Sequence, residues 1–346
     1  IIMNNLNNYP FFDLDNLKSK YLQDKSIIGA EFEKIIIIGV GGSSQGSKAI
    51  NNFLNEKKVI YFDHLHQDLI DGVLEETEID RTGFIFISKS GNTSEILTIF
   101  DYLVSKLENR INISNHFFTL TELRSSPLHD LSSHHSIKII EHTKEIGGRF
   151  SIFSNTSLIP GFYFHEDLID RFFEGVAKEL NNEKNAKDEA SKDFDLFKKG
   201  KIINASLVYG PELYELANWK KQLFSESLGK NNKGVLPIVS EMTKDQHSLL
   251  QFYLDGTKNI FFEIMSLNYD HPNLLNITLN NHKDAMHEAL MQQIGEARER
   301  IFKENDIFDL GSYFCFEIMR VLYLSELMKV DPFTQDAVEI QKNLLK

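Results

Sequence analysis

Apolar and polar positions alternate along this 346-residue chain in a way that predicts short strands, tight turns and amphipathic helices. The clearest unit covers residues 84–97, where the apolar run FIFI stops in the polar cluster SKSGNTSE and an amphipathic pattern follows. This order predicts a strand, a loop and a helix that begins near Asn92 or Thr93. Gly91 allows the backbone to turn, and four of the eight residues from 88 to 95 carry a hydroxyl.

A second turn of the same kind follows the apolar run at residues 35–38. Its glycines, Gly39, Gly41 and Gly42, precede Ser43 and Ser44, where a helix is predicted to begin. A helix N-terminus offers unpaired N–H donors and about half a positive charge. Both turns therefore suit a small anion, and phosphate is the anion we expect.

The same alternation of strand and helix continues through the chain. Further strands are predicted at 59–62, 117–120, 137–140, 202–209, 235–239, 260–265 and 274–279. Helices are predicted between them, including 245–254 and 283–303, and two more, at 311–328 and 334–345, end the chain. The pattern predicts an α/β fold with doubly wound, mainly parallel sheets. Such sheets bind ligands at the carboxyl ends of their strands, where both polar turns lie.

Two other interpretations of the turns stay open at this point. A serine or threonine at the start of a helix is also an ordinary N-cap. Gly39, Gly41 and Asp63 imitate a dinucleotide-binding fingerprint, in which the acidic residue holds a ribose. That match is incomplete because Ser44 fills the third glycine position. Two serine-bearing turns in one sheet fit a single sugar phosphate better than a long dinucleotide.

Composition and charge exclude several classes of function. The chain is 42% hydrophobic and 25% charged, and its net charge of −13 argues against a nucleic-acid surface. The longest apolar run, at 35–38, is too short to cross a membrane, and the start lacks a basic leader. The single cysteine, Cys315, forms no internal disulfide, so we expect a cytoplasmic protein. The histidine pairs at 64 and 66 and at 134 and 135 lack carboxylate or cysteine neighbours, and we expect no metal and no cofactor.

Five residues occupy positions that suit chemistry. Arg149 follows two glycines, which suggests a guanidinium aimed inward. Glu226 lies in the last turn of a predicted helix, where the dipole disfavours a carboxylate and so favours proton uptake. His247 is an acid/base candidate at the start of a helix. Gln335 and Lys342 are seven residues apart on a predicted helix, and hence on one face. Each also fits an ordinary structural or solvated position.

Six motifs make the chain resemble a short bacterial-type member of the phosphoglucose isomerase (glucose-6-phosphate isomerase) family. They occur in family order: VGGSS at 40–44, SKSGNTSE at 88–95, GGRFS at 147–151, ESLGK at 226–230, DQHS at 245–248 and PFTQDAVEIQK at 332–342. The chain has Leu228 where the family has Asn, and Asp336-Ala337 where many members have an aromatic residue or proline followed by glycine. These departures bear on which sugar phosphates are accepted.

The resemblance implies an architecture of two SIS (sugar-isomerase, flavodoxin-like) subdomains with helical extensions at both ends. It divides the chain into an N-terminal helical arm at 1–33 and a phosphate-binding first SIS domain at 34–160. A second SIS domain at 161–310 carries Glu226 and His247, and C-terminal helices at 311–346 carry Gln335 and Lys342. It also implies a homodimer in which His247 reaches the site of the neighbouring subunit.

The resemblance further implies a reaction, the reversible isomerisation of glucose 6-phosphate to fructose 6-phosphate through ring opening and a cis-enediol. The residues implied to bind the substrate lie in the two polar turns and near the C-terminus: Gly42, Ser43, Ser88, Lys89, Ser90, Thr93 and Gln335. Glu226 would move the proton between C2 and C1, and Arg149 would stabilise the negative charge of the intermediate. His247 and Lys342 would assist ring opening.

Two alternative functions use the same motifs. A non-catalytic SIS sensor would need only the turns at 42–44 and 88–95 to bind a sugar phosphate, and would leave Glu226, His247 and Lys342 unexplained. A dual enzyme would isomerise both glucose and mannose phosphates.

Overall fold

The computed structural model describes residues 6–29 and 31–344, and these form two compact units. One unit covers residues 7–166 and the other includes residues 167–344. The described residues of the predicted arm from 7 to 33 therefore cluster with the first unit, whereas Leu6 is grouped with the second, and residues 1–5 and 30 lie outside the described residues. The C-terminal segment from 311 clusters with the second unit.

The described residues of the first unit form five strands and seven helices. In chain order they are α1 (Leu14–Ile28), β1 (Lys34–Ile38), α2 (Gln45–Phe53), β2 (Val59–Phe62), α3 (Gln67–Glu75), β3 (Thr82–Ile87), α4 (Ser94–Leu107), α5 (Ile113–His116), β4 (Phe117–Thr121), α6 (Pro127–His134), β5 (Lys138–Glu141) and α7 (Asn155–Gly161).

The first sheet has the strand order β2-β1-β3-β4-β5, and all its pairs are parallel. This is the flavodoxin-like order, in which the chain reverses direction across the sheet between β1 and β3. The predicted parallel, doubly wound α/β fold is confirmed here. Ligands of such sheets bind in the crevice at the carboxyl ends of the two strands at the reversal point.

Burial on both faces of the sheet explains why β1 and β3 are continuous apolar runs. All six residues of β3 are buried, and Phe84 and Phe86 pack against Phe117 of β4. Helix α4 contributes Phe100, whose ring lies 4.8 Å from that of Phe86, centroid to centroid. The core thus holds β3 and the start of α4 in a fixed relation on either side of the polar loop.

The described residues of the second unit form four strands and seven helices. In chain order they are α8 (Ile169–Leu180), α9 (Lys184–Lys198), β6 (Ile203–Tyr209), α10 (Tyr214–Leu228), β7 (Leu236–Met242), α11 (Gln246–Asp255), β8 (Ile260–Asn268), α12 (Leu274–Gln293), β9 (Arg298–Lys303), α13 (Ile307–Met328) and α14 (Val338–Leu344). The sheet of this unit has the order β7-β6-β8-β9, again with parallel pairs.

Two sequence-based predictions for this unit are wrong. Residues 274–279, predicted as a strand, begin helix α12, which a reciprocal capping box between Asn273 and Asn276 starts. Strand β9 lies inside the predicted helix at 283–303. Its RERIFK sequence alternates, and Arg298 and Arg300 pair with Asp193 and Asp309. Because Arg298 and Arg300 on the packed face are charged, this strand lacks the alternation of apolar and polar residues that would identify it in the sequence.

A buried ion cluster links four elements of the second unit. It consists of Asp193 on α9, Lys220 on α10, Glu263 on β8, and Glu317 and Arg320 on α13, all at most 5% exposed. Arg320 donates two hydrogen bonds to Asp193, of 2.7 and 3.1 Å, and also donates to Glu317 at 3.2 Å. Lys220 pairs with Glu263. Such a cluster fixes how α10 and α13 sit on the sheet.

Within the described ranges, 6–29 and 31–344, no helix is both long and apolar enough to cross a membrane.

Candidate functional site

The two polar turns leave neighbouring strands at one edge of the first sheet. β1 pairs with β3 so that Ile38 lies beside Phe86, and the turns at 39–44 and 88–93 follow directly. They therefore occupy the carboxyl ends of the two strands at the reversal point. The fold brings together the two segments whose sequences suit an anion.

The loop after β3 is held by its own hydroxyls. The Ser88 and Thr93 hydroxyl oxygens lie 2.8 Å apart, and Ser90 Oγ accepts a hydrogen bond from the Asn92 amide. Among the described residues of this loop, Thr93 is the N-cap of α4 but makes no capping bond with its side chain. Thr93 therefore occupies the N-cap position, as the ordinary interpretation predicts, but its hydroxyl is bonded elsewhere, and a ligand anion could take the capping role.

Glycines make a close approach possible at the neighbouring turn. The 3-10 turn Gly41–Ser43 lies against the 3-10 helix Gly148–Phe153, and a Cβ on Gly42 would come within 2.3 Å of the Gly148 carbonyl carbon. Ser151 Oγ donates to both the Gly42 and Gly148 carbonyls, at 3.1 and 2.7 Å. The VGGSS and GGRFS motifs therefore form one packed structure.

Arg149 is buried within this structure. Only 4% of its surface is exposed, and its guanidinium carbon lies 5.2 Å from the centroid of the Phe150 ring. It is therefore not an ordinary surface arginine. A buried guanidinium beside two glycine-rich turns is a fixed positive charge near the edge where the turns meet.

Lys89 is half-buried and is bound to a third segment of the same unit. Its ammonium donates to the carbonyls of Lys144 and Ile146, at 2.6 and 3.0 Å. Burial lowers the pKa of Lys89, and the nearby carboxylates of Glu122 and Glu145 oppose that shift. Its two hydrogen-bond acceptors are neutral carbonyls, so these two bonds do not form an ion pair.

Asp63 is engaged in an ion pair, which weakens the dinucleotide interpretation. Its carboxylate pairs with Lys48, and its other oxygen lies 2.8 Å from His64 Nδ1. Burial raises the pKa of Asp63, but the hydrogen bonds and charges of Lys48 and His64 outweigh it and lower the pKa overall. A carboxylate held in this way is poorly placed to bind a ribose hydroxyl.

The second unit carries the carboxylate predicted as the base. Glu226 lies two residues before the end of α10 and is half-buried. The Gln222 side chain, one helical turn earlier, donates to Glu226 Oε1 at 2.8 Å. Leu228, which differs from the family pattern, is fully buried in this last turn.

The segment that carries Gln335 is tied to the same end of α10. The Lys230 ammonium donates to the Asp331 carbonyl, and Lys233 donates to the Met328 carbonyl at 2.8 Å. These bonds hold the ESLGK motif against the start of the PFTQ motif. Within the second unit, the segments of Glu226 and Gln335 are therefore neighbours.

Gln335 and Lys342 do not share a helix, contrary to the sequence-based prediction. Helix α14 begins only at Val338. The Val338 and Glu339 amides bond to carbonyls three residues back, so residues 335–339 wind as turns of about three residues. The backbone of Lys342 lies in α14, while its side chain and the predicted end of the helix at 345 lie outside the described residues.

His247 lies at the opposite edge of the second sheet from Glu226. Helix α10 ends before β7 begins, whereas α11, which carries His247, begins after β7 ends. The seven residues of β7 span about 20 Å at ~3.3 Å per residue. His247 is exposed, and its backbone amide bonds to the Lys244 carbonyl at 3.1 Å. Glu226 and His247 of one chain are therefore far apart.

No residue pattern signals the role of the segment at 144–146. Its backbone carbonyls bind Lys89, and carbonyls leave no mark in a sequence. The GGR motif does signal the close approach of Gly148 to Gly42, although it does not identify the partner.

Comparisons with known proteins agree with these motifs. The sequence matches the phosphoglucose isomerase family over residues 23–311. It is 26% identical to a probable glucose-6-phosphate isomerase of Methanococcus maripaludis, covering 97% of this chain and 83% of that protein. It is 28% identical to a glucose-6-phosphate isomerase of Methanocaldococcus jannaschii, covering 92% and 84%.

Solved structures share the fold. A hypothetical protein of Thermus thermophilus superposes with a TM-score of 0.84 at 23% identity, covering 97% of this chain and 88% of that one. A glucose-6-phosphate isomerase of Chlamydia trachomatis superposes with a TM-score of 0.81 at 19% identity, covering 95% and 72%.

Proposed function

The chain belongs to the phosphoglucose isomerase family, and from this premise we infer that it interconverts glucose 6-phosphate and fructose 6-phosphate. It is thus an aldose-ketose isomerase of glycolysis and gluconeogenesis. The observation that carries the assignment is the family match over residues 23–311, which includes both polar turns, Arg149, Glu226 and His247. The geometry of each unit supports specific roles for these residues.

We propose that the loop after β3 binds the substrate phosphate. The Ser88, Ser90 and Thr93 hydroxyls and the first-turn amides of α4 would donate to the phosphate oxygens, and Lys89 would add positive charge. The Thr93 side chain, bound to Ser88 instead of capping α4, supports this role. Gly42 and Ser43, at the end of the neighbouring strand, would lie near the sugar.

We propose that Glu226 transfers the proton between C2 and C1. In the open-chain aldose it would remove the C2 proton to give a cis-enediolate and then return a proton to C1. One base typically contributes about 10² to 10⁴ in rate, so the transition state needs further stabilisation from other groups. Arg149 would supply it as a preorganised charge facing the enediolate oxygens. Binding energy from the unreactive phosphate would align the reacting carbons.

Ring opening requires a second set of proton donors and acceptors. We propose that His247 and Lys342 move protons at the ring oxygen and the C1 hydroxyl, while Gln335 orients the sugar chain. The hydrogen bonds of Lys230 and Lys233 to the Asp331 and Met328 carbonyls support the proposal that Gln335 and Glu226 act in one site.

We propose that the enzyme is a homodimer in which His247 completes the partner's site. Two observations support this arrangement. Glu226 and His247 lie at opposite edges of one sheet. Large apolar side chains are also exposed on the helices around His247: Phe252 at 49%, Leu274 at 76%, Leu275 at 78% and Ile277 at 49%. Exposed apolar surface of this kind suits a subunit interface.

A complementation experiment tests the dimer. Glu226→Gln and His247→Ala chains, each inactive alone, are mixed under conditions that exchange subunits. If His247 acts in the partner's site, about a quarter of wild-type activity returns, because half of the dimers are mixed and each carries one intact site. Light scattering should give twice the chain mass. Failure to regain activity in mixtures shown to contain mixed dimers would place His247 in its own subunit's site.

We also propose a cytoplasmic location. The only cysteine of the chain, Cys315, is buried, so the fold does not depend on an internal disulfide.

The activity itself is tested by a coupled assay. The purified chain receives fructose 6-phosphate in the presence of EDTA, and glucose 6-phosphate formation is followed with a dehydrogenase. We expect turnover. Binding without turnover would favour a sugar-phosphate sensor. A parallel assay with mannose 6-phosphate shows whether the enzyme is dual.

A further inference from the structure

The ammonium of Lys89 joins the phosphate loop to a segment that leads into the Arg149 helix. Lys89 is the second residue after β3, and its two carbonyl acceptors, on Lys144 and Ile146, lie between β5 and the 3-10 helix Gly148–Phe153. Both bonds are charge-assisted, and such bonds are about twice as strong as neutral ones. One lysine thus links segments that are 55 residues apart in the sequence.

Two features hold the 144–146 segment: the buried Ile146 side chain and the bonds from Lys89 to its carbonyls. Lys144 and Glu145 are exposed, and Ile146 is fully buried. The Ile146 amide makes only a long bond, of 3.3 Å, to the Thr143 carbonyl. A short segment outside any sheet has few other partners for its carbonyls, so a lysine that binds two of them contributes strongly to its position.

The position of this segment fixes the position of Arg149. Ile146 precedes Arg149 by three residues, and the Phe150 amide bonds to the Gly147 carbonyl at 2.9 Å. On its far side, Gly148 lies against Gly42. The segment before Arg149 is therefore held on one side by the Gly42 turn and on the other by Lys89.

We propose that Lys89 is a positioning residue for Arg149 as well as a charge near the phosphate. It couples the loop that binds the phosphate to the arginine that faces the reacting carbons. This inference rests on the proposed roles of the phosphate loop and Arg149. It explains why a lysine follows β3. An ammonium has three N–H donors; two of them bind the carbonyls of residues 144 and 146, and these two bonds fix the direction of the third N–H. Binding energy from the phosphate would thereby reach the reaction centre.

Kinetics of Lys89→Met test the coupling. Removal of the ammonium should lower kcat about 10- to 100-fold, because a shift of about 1 Å in a catalytic group has effects of this size. A lysine that only contacts phosphate would instead raise KM, and raise the inhibition constant of inorganic phosphate, with kcat unchanged. The matched control is Lys144→Met, which removes an exposed charge from the same segment but leaves its carbonyl in place. Its kcat should equal that of the wild type.

Hydrogen exchange tests, independently of catalysis, whether the Lys89 bonds hold the 144–146 segment in position. In Lys89→Met, peptides that cover residues 143–150 should exchange faster than in the wild type, while Lys144→Met should exchange as the wild type does. Lys89→Arg keeps the charge and several donors, and should restore slow exchange and part of the lost kcat.

Two results would overturn the proposal: unchanged exchange at 143–150 in Lys89→Met, or a rise in KM with kcat intact. Should Lys89→Met fail to fold, Lys89→Gln, which keeps a donor, takes its place in both measurements. An inactive wild-type chain would refute the proposed isomerase activity. The exchange data would still decide whether Lys89 holds the 144–146 segment in position.

Discussion

Replacement of Glu226 by Gln is expected to lower kcat for the isomerisation by at least about 10³-fold, since the proposed base is removed. The side-chain shape is kept, and the new amide oxygen can still accept the hydrogen bond from Gln222. Binding of fructose 6-phosphate, measured by calorimetry, should change by no more than about threefold, because the loop proposed to bind the phosphate is intact. Loss in kcat without loss of binding is the signature of a group that acts in the transition state.

The matched control is Glu215→Gln, on the first turn of the same helix. It removes one carboxylate from α10 far from the proposed reaction centre, and its kcat should equal that of the wild type. Glu226→Gln with near-normal turnover would take Glu226 out of the role of base.

Arg320→Met is expected to reduce the free energy of unfolding by about 3–5 kcal/mol, because it removes one cation from a buried ion cluster and leaves Glu317 with only Lys220, 4.0 Å away, as a charge partner among the described residues. Asp193 and Glu317 both lose charge-assisted hydrogen bonds, and both are fully buried. Urea denaturation at neutral pH measures the loss. The control Lys198→Met breaks an exposed pair with Asp195 on helix α9, and should cost less than about 1 kcal/mol.

The loss in the free energy of unfolding caused by Arg320→Met should become smaller as the pH falls. Burial already raises the pKa of Glu317, and Arg320 opposes that rise. Without Arg320 the pKa climbs further, so near neutrality the folded state binds more protons than the unfolded state. Stability then falls as pH rises from the unfolded pKa to the folded pKa of Glu317, and is fully recovered only below the unfolded pKa. An equal loss at about pH 5 and pH 7.5 would show that packing, not charge, dominates at this position.

Much of the fold is accessible from the sequence because buried parallel strands are continuous apolar runs. The pattern predicts β2 with its observed bounds, and β3 and β6 to within two residues at each end. Helix α4 begins at Ser94, one residue after the predicted start near Asn92 or Thr93. Strand and helix periods are distinct wherever one face is uniformly apolar.

The two wrong secondary-structure predictions, at residues 274–279 and in β9, also have physical causes. Residues 274–279 are apolar enough for a strand, yet Leu274 and Leu275 are exposed on a helix, so their hydrophobicity does not report on the core. In β9, Arg298 pairs with the buried carboxylate of Asp193 and Arg300 pairs with the partly buried Asp309, and no periodicity scale counts arginine as a core residue. Tertiary contacts override the local pattern in both cases.

The sequence proposes the residues of the candidate site, but it does not predict the contacts between the segments that carry them. The polar turns are recognisable because hydroxyls and glycines cluster after apolar runs. The separation of Glu226 from His247 follows from topology, since α10 ends at the edge where β7 begins and α11 starts at the other. The Lys89 bonds to carbonyls at 144 and 146 depend on backbone positions that no residue type encodes.

The most direct test of the proposed reaction is conversion of fructose 6-phosphate by the purified chain in D₂O with EDTA, followed by proton NMR. We expect glucose 6-phosphate to form, with deuterium at C2, because the proton on Glu226 exchanges with solvent between removal and return. Glu226→Gln should form product and incorporate deuterium at least about 10³-fold more slowly. An inactive wild-type chain, or a Glu226→Gln chain that converts the sugar at the wild-type rate, would contradict the proposed mechanism.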